Sequence, residues 1–515
     1  MSIKSVIDSL CSFSLHEKVV SMVIEEIIHI HDKYQFEIKL EYQLEHKKRS
    51  TTYDIETYLF FPYSLGINEQ SYSKIDFYND IQSYIRLKTP TVLLQDMAKG
   101  EESPLGKLRN NIKVLRSSVT PYNIEQYKYK MKMFGCIFKS AIRDHVAFIL
   151  IKKNAGDIED LLDKYQESIK NITSSFRELR TFLNVPSINK DIFSMYIFGD
   201  EYLSLLSESY SYELLEYLKS IEIPNKNLYR ERLLGLIKDE IEYRINNHYP
   251  SIPEVDSTNE KFIFRASVLK KYIGNVLFLN TRIKQEGSFW EQIVFAIAAG
   301  VAMMFAVLAT FSAQVIYPKV SMPLFIILVV SYMFKDRIKE LMRGYLGSKL
   351  RNILFDHKMS IFYSPKEKLG WCKESFSFVK DSKIPNKIMR LRNRDHMTEI
   401  ENGWLGEKSI LYRKRTKLIR GKLERIYKDY RVESINDIIR LNVMKFLTKM
   451  DNPQKALYVS EGDSYQKIYG KRVYHVNMIM KYSMGNLIRY KRFRIVLSQD
   501  GIKRIEEVVM DEETL

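Results

Sequence analysis

The chain has 515 residues, 45% of them hydrophobic and 12% aromatic, which is too much apolar surface for a disordered protein and enough for more than one core. Its formal net charge is +17, and its three cysteines, Cys11, Cys136 and Cys372, stand far apart with no paired spacing, which excludes a disulfide framework and a zinc module. The charge is one-sided: residues 1–334 carry 40 Lys and Arg against 40 Asp and Glu, whereas residues 335–515 carry 40 against 23.

At the amino terminus a single lysine and an apolar run broken by Asp8 do not make a secretory signal. Together with lone thiols suited to a reducing compartment, this predicts a cytoplasmic first domain. Over residues 35–44, Phe36, Ile38, Leu40, Tyr42 and Leu44 alternate with Glu37, Lys39, Glu41 and Gln43, the period of a half-buried strand. Tyr53, Ile55, Thr57 and Leu59 mark a second strand ended by Pro62, and the two predict an antiparallel hairpin at about 35–60, inside an amino-terminal α/β region over 1–122. His29 and His31 could share a strand face beside Asp32 as a metal pair, but no third or fourth ligand stands nearby, so no metal is expected.

After residue 123 the period becomes helical. Ile124, Tyr127, Met131, Phe134, Phe138, Ile142, Val146 and Ile149 form one apolar stripe. Leu161, Tyr165, Ile169, Ile172, Phe176, Leu179 and Leu183 form another, with Asp157 as its N-cap. Helices at about 199–220 and 229–247 and a helical lead-in over 260–286 complete a cytoplasmic bundle, 123–287. Its aromatic-rich stripes read as core, not as a cofactor pocket.

Residues 292–318 hold no charged side chain, and residues 293–312 are apolar apart from Gly300, Thr310 and Ser312. Twenty residues at ~1.5 Å rise span ~30 Å, the hydrocarbon thickness of a bilayer. The next run, 320–334, is shorter, carries Pro323 in its first turn, and spans only if it extends back past Lys319. The two predict a transmembrane helical hairpin over 288–334, with Trp290 and Tyr332 at one interface and Tyr317 at the other. Lys270, Lys271, Arg282 and Lys284 precede it, and Lys335, Arg337, Lys339, Arg343, Lys349 and Arg351 follow it. Basic flanks stay inside, so both termini are expected on the cytoplasmic side of the cell's inner membrane. Ala298, Ala302 and Ala306 share one helix face and admit a close neighbour, either the second run or another copy in a homo-oligomer. Without ionisable groups in the runs apart from Lys319, no ion-coupled path is expected.

Residues 335–372 form a basic juxtamembrane segment whose Lys335, Arg337, Lys339 and Arg343 suit an anionic leaflet. Within a basic α+β domain over 373–515, residues 380–431 hold 16 Lys and Arg against 7 acids, including the cluster Arg413, Lys414, Arg415, Lys417, Arg420 and Lys422. A solvated basic surface with no specific partner is the leading reading, and among partners lipid-headgroup phosphate is the expected counter-charge. A helix over 434–449 opened by Ser434 leads to strands at 473–482, 487–497 and 502–509, a meander whose last turn is Gln499-Asp500-Gly501. Glu461, Asp463 and Asp500 read as loop and turn residues. Arg489, Lys491, Arg492 and Arg494 interleave with Tyr490 and Phe493, but alternation sends them to both faces, so a nucleic-acid platform is not expected.

The phosphate-binding, dinucleotide, zinc-protease and serine-hydrolase motifs do not occur in the sequence, and no cofactor or catalytic residue is predicted. The expectation is an α+β protein, mainly helical, anchored in the lipid bilayer with cytoplasmic domains. It would act as a non-enzymatic binding, scaffold or sensor protein; the alternatives are a homo-oligomeric channel or pore subunit and an enzyme with no recognisable motif.

Overall fold

The computed structural model describes residues 24–508 apart from 44–48, 153, 187, 318, 320, 365–366, 393–405, 427–429, 431–433 and 463; the side chains of residues 25, 288–290, 348–353 and 424–426 are also undescribed. Cys11, Leu44, Asp463 and the Trp290, Lys349 and Arg351 side chains therefore lie outside the description. Roughly half of the chain is helical and the rest is dominated by antiparallel sheets, a mixed α+β fold. It divides into two compact units. Of the described residues, one unit holds those of 86–278 and Tyr430; the other holds those of 24–85, 279–426 and 434–508.

The first unit is helical: α1 (Pro104–Ser117), α2 (Pro121–Ile151), α3 (Ala155–Arg177), α4 (Lys190–Ser220), α5 (Lys226–Asn246) and α6 (Glu260–Gly274). Proline opens α1 and α2, where its missing N–H is no loss, behind Ser103 and Thr120, whose hydroxyls accept from the backbone of Gly106 and Asn123. The stripe through Tyr127, Met131, Phe134, Phe138, Ile142, Val146 and Ile149 is buried, as its period requires. The cap of α3 is Asn154, and Asp157 instead sits in the first turn, where the helix dipole favours its charge. The lead-in expected over 260–286 is not one helix, because α6 stops at Gly274 and residues 280–285 extend into a strand.

The second unit carries β1 (Ile24–Ile30), β2 (Gln35–Gln43), β3 (Ser50–Pro62), most of β4 (Ile81–Leu87), β5 (Asn280–Gln285), β6 (His357–Ser364), β7 (Glu367–Val379), β8 (Glu407–Ile419), β9 (Ser434–Asn442), β10 (Gln454–Glu461), β11 (Ser464–Lys471), β12 (Tyr474–Met484), β13 (Leu487–Ser498) and β14 (Gly501–Val508). One sheet has the order β1-β2-β9-β4 and the other β14-β13-β12-β3-β8-β7-β6-β5, while β10 and β11 form a separate ribbon. The two sheets meet face to face around Phe36, Ile38, Ile439 and Leu441 from the smaller and Ile55, Leu59, Met478 and Met480 from the larger, with a gap of only ≈ 20 Å³ among them. The carboxy-terminal meander forms as its alternation demands, β12 to β13 through Gly485 and β13 to β14 through Gly501, both at positive φ.

Two expectations are corrected. Strands form near 35–44 and 53–61, but they do not pair with each other: β2 pairs with β1 and β9, and β3 with β12 and β8. The nearer partner for β2 is β1, reached through a tight turn in which Asp32 accepts from the Tyr34 N–H at 2.7 Å. Residues 434–442 are strand β9, and only Met444–Leu447 is helical. Ile435, Ile438 and Ile439 imitate helical spacing, yet pairing along all of β2 and burial of both faces make the segment an interior strand.

Leaving β5, the chain forms α7 (Ser288–Ile316), turns, and returns through α8 (Met322–Ile353) into β6. The two helices pack antiparallel, with Ala298 and Ala302 fully buried. Among the described residues one segment, Glu291–Ile316, is long and apolar enough to cross a membrane. The expected juxtamembrane stretch 335–372 is the second half of α8 followed by β6 and the start of β7.

Candidate functional site

Because β5 feeds α7 and α8 feeds β6, this paired sheet edge stands at the foot of the helical hairpin. Register and the two-residue period of strands then decide what each face carries. Lys284, Lys358, Lys373 and Arg415 stand opposite one another across β5, β6, β7 and β8, and Arg282, Ser360, Trp371 and Lys417 form the next row. On the other face Met359, Cys372, Thr416 and Leu418 go into the core. Arg413, one row further, donates to Ser375 Oγ at 2.9 Å.

The acids of this outer face are fewer. Arg415 pairs with Asp54, and Lys373 meets Glu286 at 2.5 Å. Aromatic rings lie among the cations: Phe355 has Arg413 and Arg415 each at 5.5 Å, and Trp371 has Lys373 at 5.2 Å and Lys358 at 5.9 Å. The Lys368 amine is held below its ordinary pKa by burial and then by Lys358 and Lys422, as expected where positive charge accumulates.

The structure disperses the basic residues that the sequence groups. On α8, Lys335 lies 3.6 Å from the Tyr332 ring centroid, Arg337 pairs with Glu340 at 3.3 Å, Lys339 is half-buried and Arg343 stands over Phe295 at 5.0 Å. Arg413, Arg415 and Lys417 share the outer sheet face, and Arg420 opens a short helix, Arg420–Ile426. Lys414 is a correction. It points inward and is 1% exposed, so it cannot meet a membrane surface. Its ammonium bridges the two sheets, 2.7 Å from Asp437 and 3.2 Å from Glu374, and donates to Ser83 at 2.8 Å. Burial alone would lower its pKa, but the two carboxylates more than offset that and hold it raised. Ala298 and Ala302 lie in the α7–α8 interface, and the Ala306 carbonyl accepts from Ser331 Oγ at 3.4 Å.

Sequence reasoning missed the sheet face itself. Arg282 and Lys284 were legible only as helix flanks, and Lys358, Lys373 and Trp371 carried no signal until β5 to β8 were known to be neighbours. It also missed a buried network in the helical unit. There Asp200 accepts from the Tyr243 and Tyr249 hydroxyls, both at 2.7 Å. Arg177 lies 2.6 Å from Glu240 and 3.5 Å from Asp200. Burial raises the Asp200 pKa, and Arg177 and the two hydroxyls oppose it. Arg244, wholly buried, donates to Ser204 at 2.9 Å and the Ser251 carbonyl at 3.1 Å and pairs with Glu208. Each of these charges has an opposite partner, an arrangement that pins helices together.

A cleft of about 360 Å³ opens beside the foot of the hairpin, lined by Lys74, Tyr78, Glu286, Glu291, Asp356 and His357. Asp356 is satisfied there by Lys74 at 2.6 Å, Tyr78 at 2.9 Å and the Phe376 N–H at 2.8 Å. Among the described residues no group of three or more His, Cys, Asp and Glu is placed to hold a metal ion. His29 faces Glu37 at 3.7 Å and Asp32 closes its turn. No family model, curated protein or solved structure matches this chain. What its geometry offers is an exposed apolar helix, α7, paired with α8 and rising from a basic, aromatic sheet face.

Proposed function

We propose that this is an integral membrane protein anchored by the α7–α8 hairpin, with both compact units on the cytoplasmic side of the cell membrane. In this reading it works without catalysis, as a binding, scaffold or sensor protein whose basic sheet face meets anionic lipid headgroups.

The observation that carries the reading is the surface of α7. Met303, Met304, Leu308, Phe311, Val315 and Ile316 all point outward, Phe311 being 64% and Val315 81% exposed. Apolar side chains in water forgo ~25 cal/mol for each Å² left unburied, and a contiguous patch of this size marks an interaction surface. Hydrocarbon is the solvent that suits a helix apolar on nearly all sides. The sheet face at the foot of the hairpin adds attraction to an anionic leaflet, of the order of 1 kcal/mol for each basic group close to it.

The test uses the full chain in detergent, passed over beads coated with phosphatidylglycerol or with phosphatidylcholine. Retention on the anionic beads that fades with added salt, and falls about tenfold in Lys284→Glu/Lys358→Glu/Lys417→Glu, is the expected result. Equal retention on both lipids, unchanged in that variant, would contradict the role assigned to the sheet face.

A further inference from the structure

We propose that the α7–α8 hairpin is built for a hydrocarbon layer of only about 20 Å, so that the lipid partner it fits is a thin bilayer of short acyl chains. This rests on the hairpin anchor proposed above and not on the headgroup contact of the sheet face, since a layer ending at the level of Lys335 leaves residues 288–301 of α7, ~20 Å of helix, between the lipid and that face.

Two contacts fix the register of the antiparallel helices: Ser331 Oγ lies 3.4 Å from the Ala306 carbonyl oxygen, and the Arg343 guanidinium lies 5.0 Å from the Phe295 ring centroid. Counting from the first contact, Lys335 stands level with Ala302 and Lys339 level with Ala298. The shared apolar length therefore runs from that level to the turn, residues 302–316 on α7 and 322–334 on α8. At ~1.5 Å per residue this is about 20 Å, against ~30 Å for an average bilayer.

The apolar run of α7 continues back to residue 293, but it cannot enter hydrocarbon alone. Sinking it fully would carry Lys335, Asp336, Arg337, Lys339 and Glu340 in beside it. Lysine and arginine stems can reach back to the headgroups, whereas the short carboxylate stem of Asp336, exposed on α8, cannot. With a thin layer every charge finds water, Lys335 and its neighbours on one side and the exposed Lys319 on the other. Tyr332 and Tyr317, both exposed, then stand near the two boundaries, where tyrosine rings settle. Lysine stems close only part of a ~10 Å mismatch, and the bilayer must supply the rest.

The experiment reconstitutes the purified full chain into phosphatidylcholine vesicles with one part in five phosphatidylglycerol, made with myristoleoyl, oleoyl or erucoyl chains, and measures the protein that floats with them. Recovery should be highest with myristoleoyl chains and fall about tenfold towards erucoyl. Equal recovery throughout, or more with the longer chains, would overturn the thin-bilayer inference and leave the membrane anchor standing; recovery in none of the vesicles would overturn both. In Lys335→Leu/Asp336→Leu/Arg337→Leu the apolar length grows, and the optimum should move to a longer chain. An unmoved optimum would also overturn the inference.

Discussion

Lys414 keeps its charge in the middle of a sheet sandwich because Asp437 and Glu374 sit on either side of it, with Tyr42 donating to Asp437 Oδ2 at 3.0 Å. Removing one member of such a set strands the others. Lys414→Met should therefore cost about 3–5 kcal/mol in thermal unfolding of the full chain, and Lys414→Met/Asp437→Asn less than the sum of the two single changes. Strict additivity would contradict the coupling. Lys139 makes the opposite case: burial, then Lys270 and Arg143, bring its pKa from 10.5 down to about 8; Cys136 opposes the shift without restoring it, and Arg86 adds to it. Its protonated form is disfavoured in the fold, so stability is lowest below about pH 8 and rises as pH climbs towards 10.5, where the unfolded chain still holds the proton. Lys139→Met should accordingly raise the thermal midpoint by a few degrees at neutral pH, with the gain shrinking across that window. A gain independent of pH would show that desolvated charge is not its cause. Neither residue was legible beforehand. Lys414 lies inside a run of cations that looks solvated, and only the strands opposite it reveal a buried ion.

At the scale of elements, local periodicity was enough for the helical stripes and for the last three strands, whose partners are sequence neighbours joined by short turns. It failed where the partner is distant. β9 pairs with β2 some four hundred residues away, and β3 finds β8 and β12 in place of β2. Two changes probe these elements. Gly501 has φ +135°, and a Cβ there would run into the Lys33 carbonyl oxygen, which already accepts from the Ile502 N–H at 2.9 Å. Gly501→Ala should destabilise by about 1–3 kcal/mol, read as a lower denaturation midpoint; an unchanged midpoint would contradict the strain assigned to the turn. The α7–α8 register predicts that Ala306→Cys/Ser331→Cys forms an intrachain disulfide on mild oxidation in membranes. Adding Ala302→Leu should suppress it, because the buried face has no room for the larger side chain. Efficient crosslinking with leucine present would argue against that close approach.

Over the whole molecule, the lopsided charge of the sequence proves to be complementary within one compact unit. Acids of the early strands meet cations of the late ones: Glu26 with Arg489 and Lys491 at 2.7 Å, Glu37 with Arg440 at 2.7 Å, Glu56 with Lys481 at 3.3 Å, and Asp54 with Arg415. The balanced count over residues 1–334 concealed this, since it averages those strands with the helical unit. Along β13 the same pairing continues: Arg494 faces Glu506 at 3.6 Å, and Arg492 is buried, donating to the Leu391 carbonyl at 3.1 Å. Basic residues also line the sheet face at the foot of the hairpin, beside the exposed apolar helix α7. Everything functional proposed for the protein depends on that helix lying in lipid. Alkaline carbonate washing of membranes from cells making the full chain is the direct test: the protein should stay with the membrane pellet and leave it only with detergent, whereas unaggregated chain in the detergent-free soluble fraction would contradict the account.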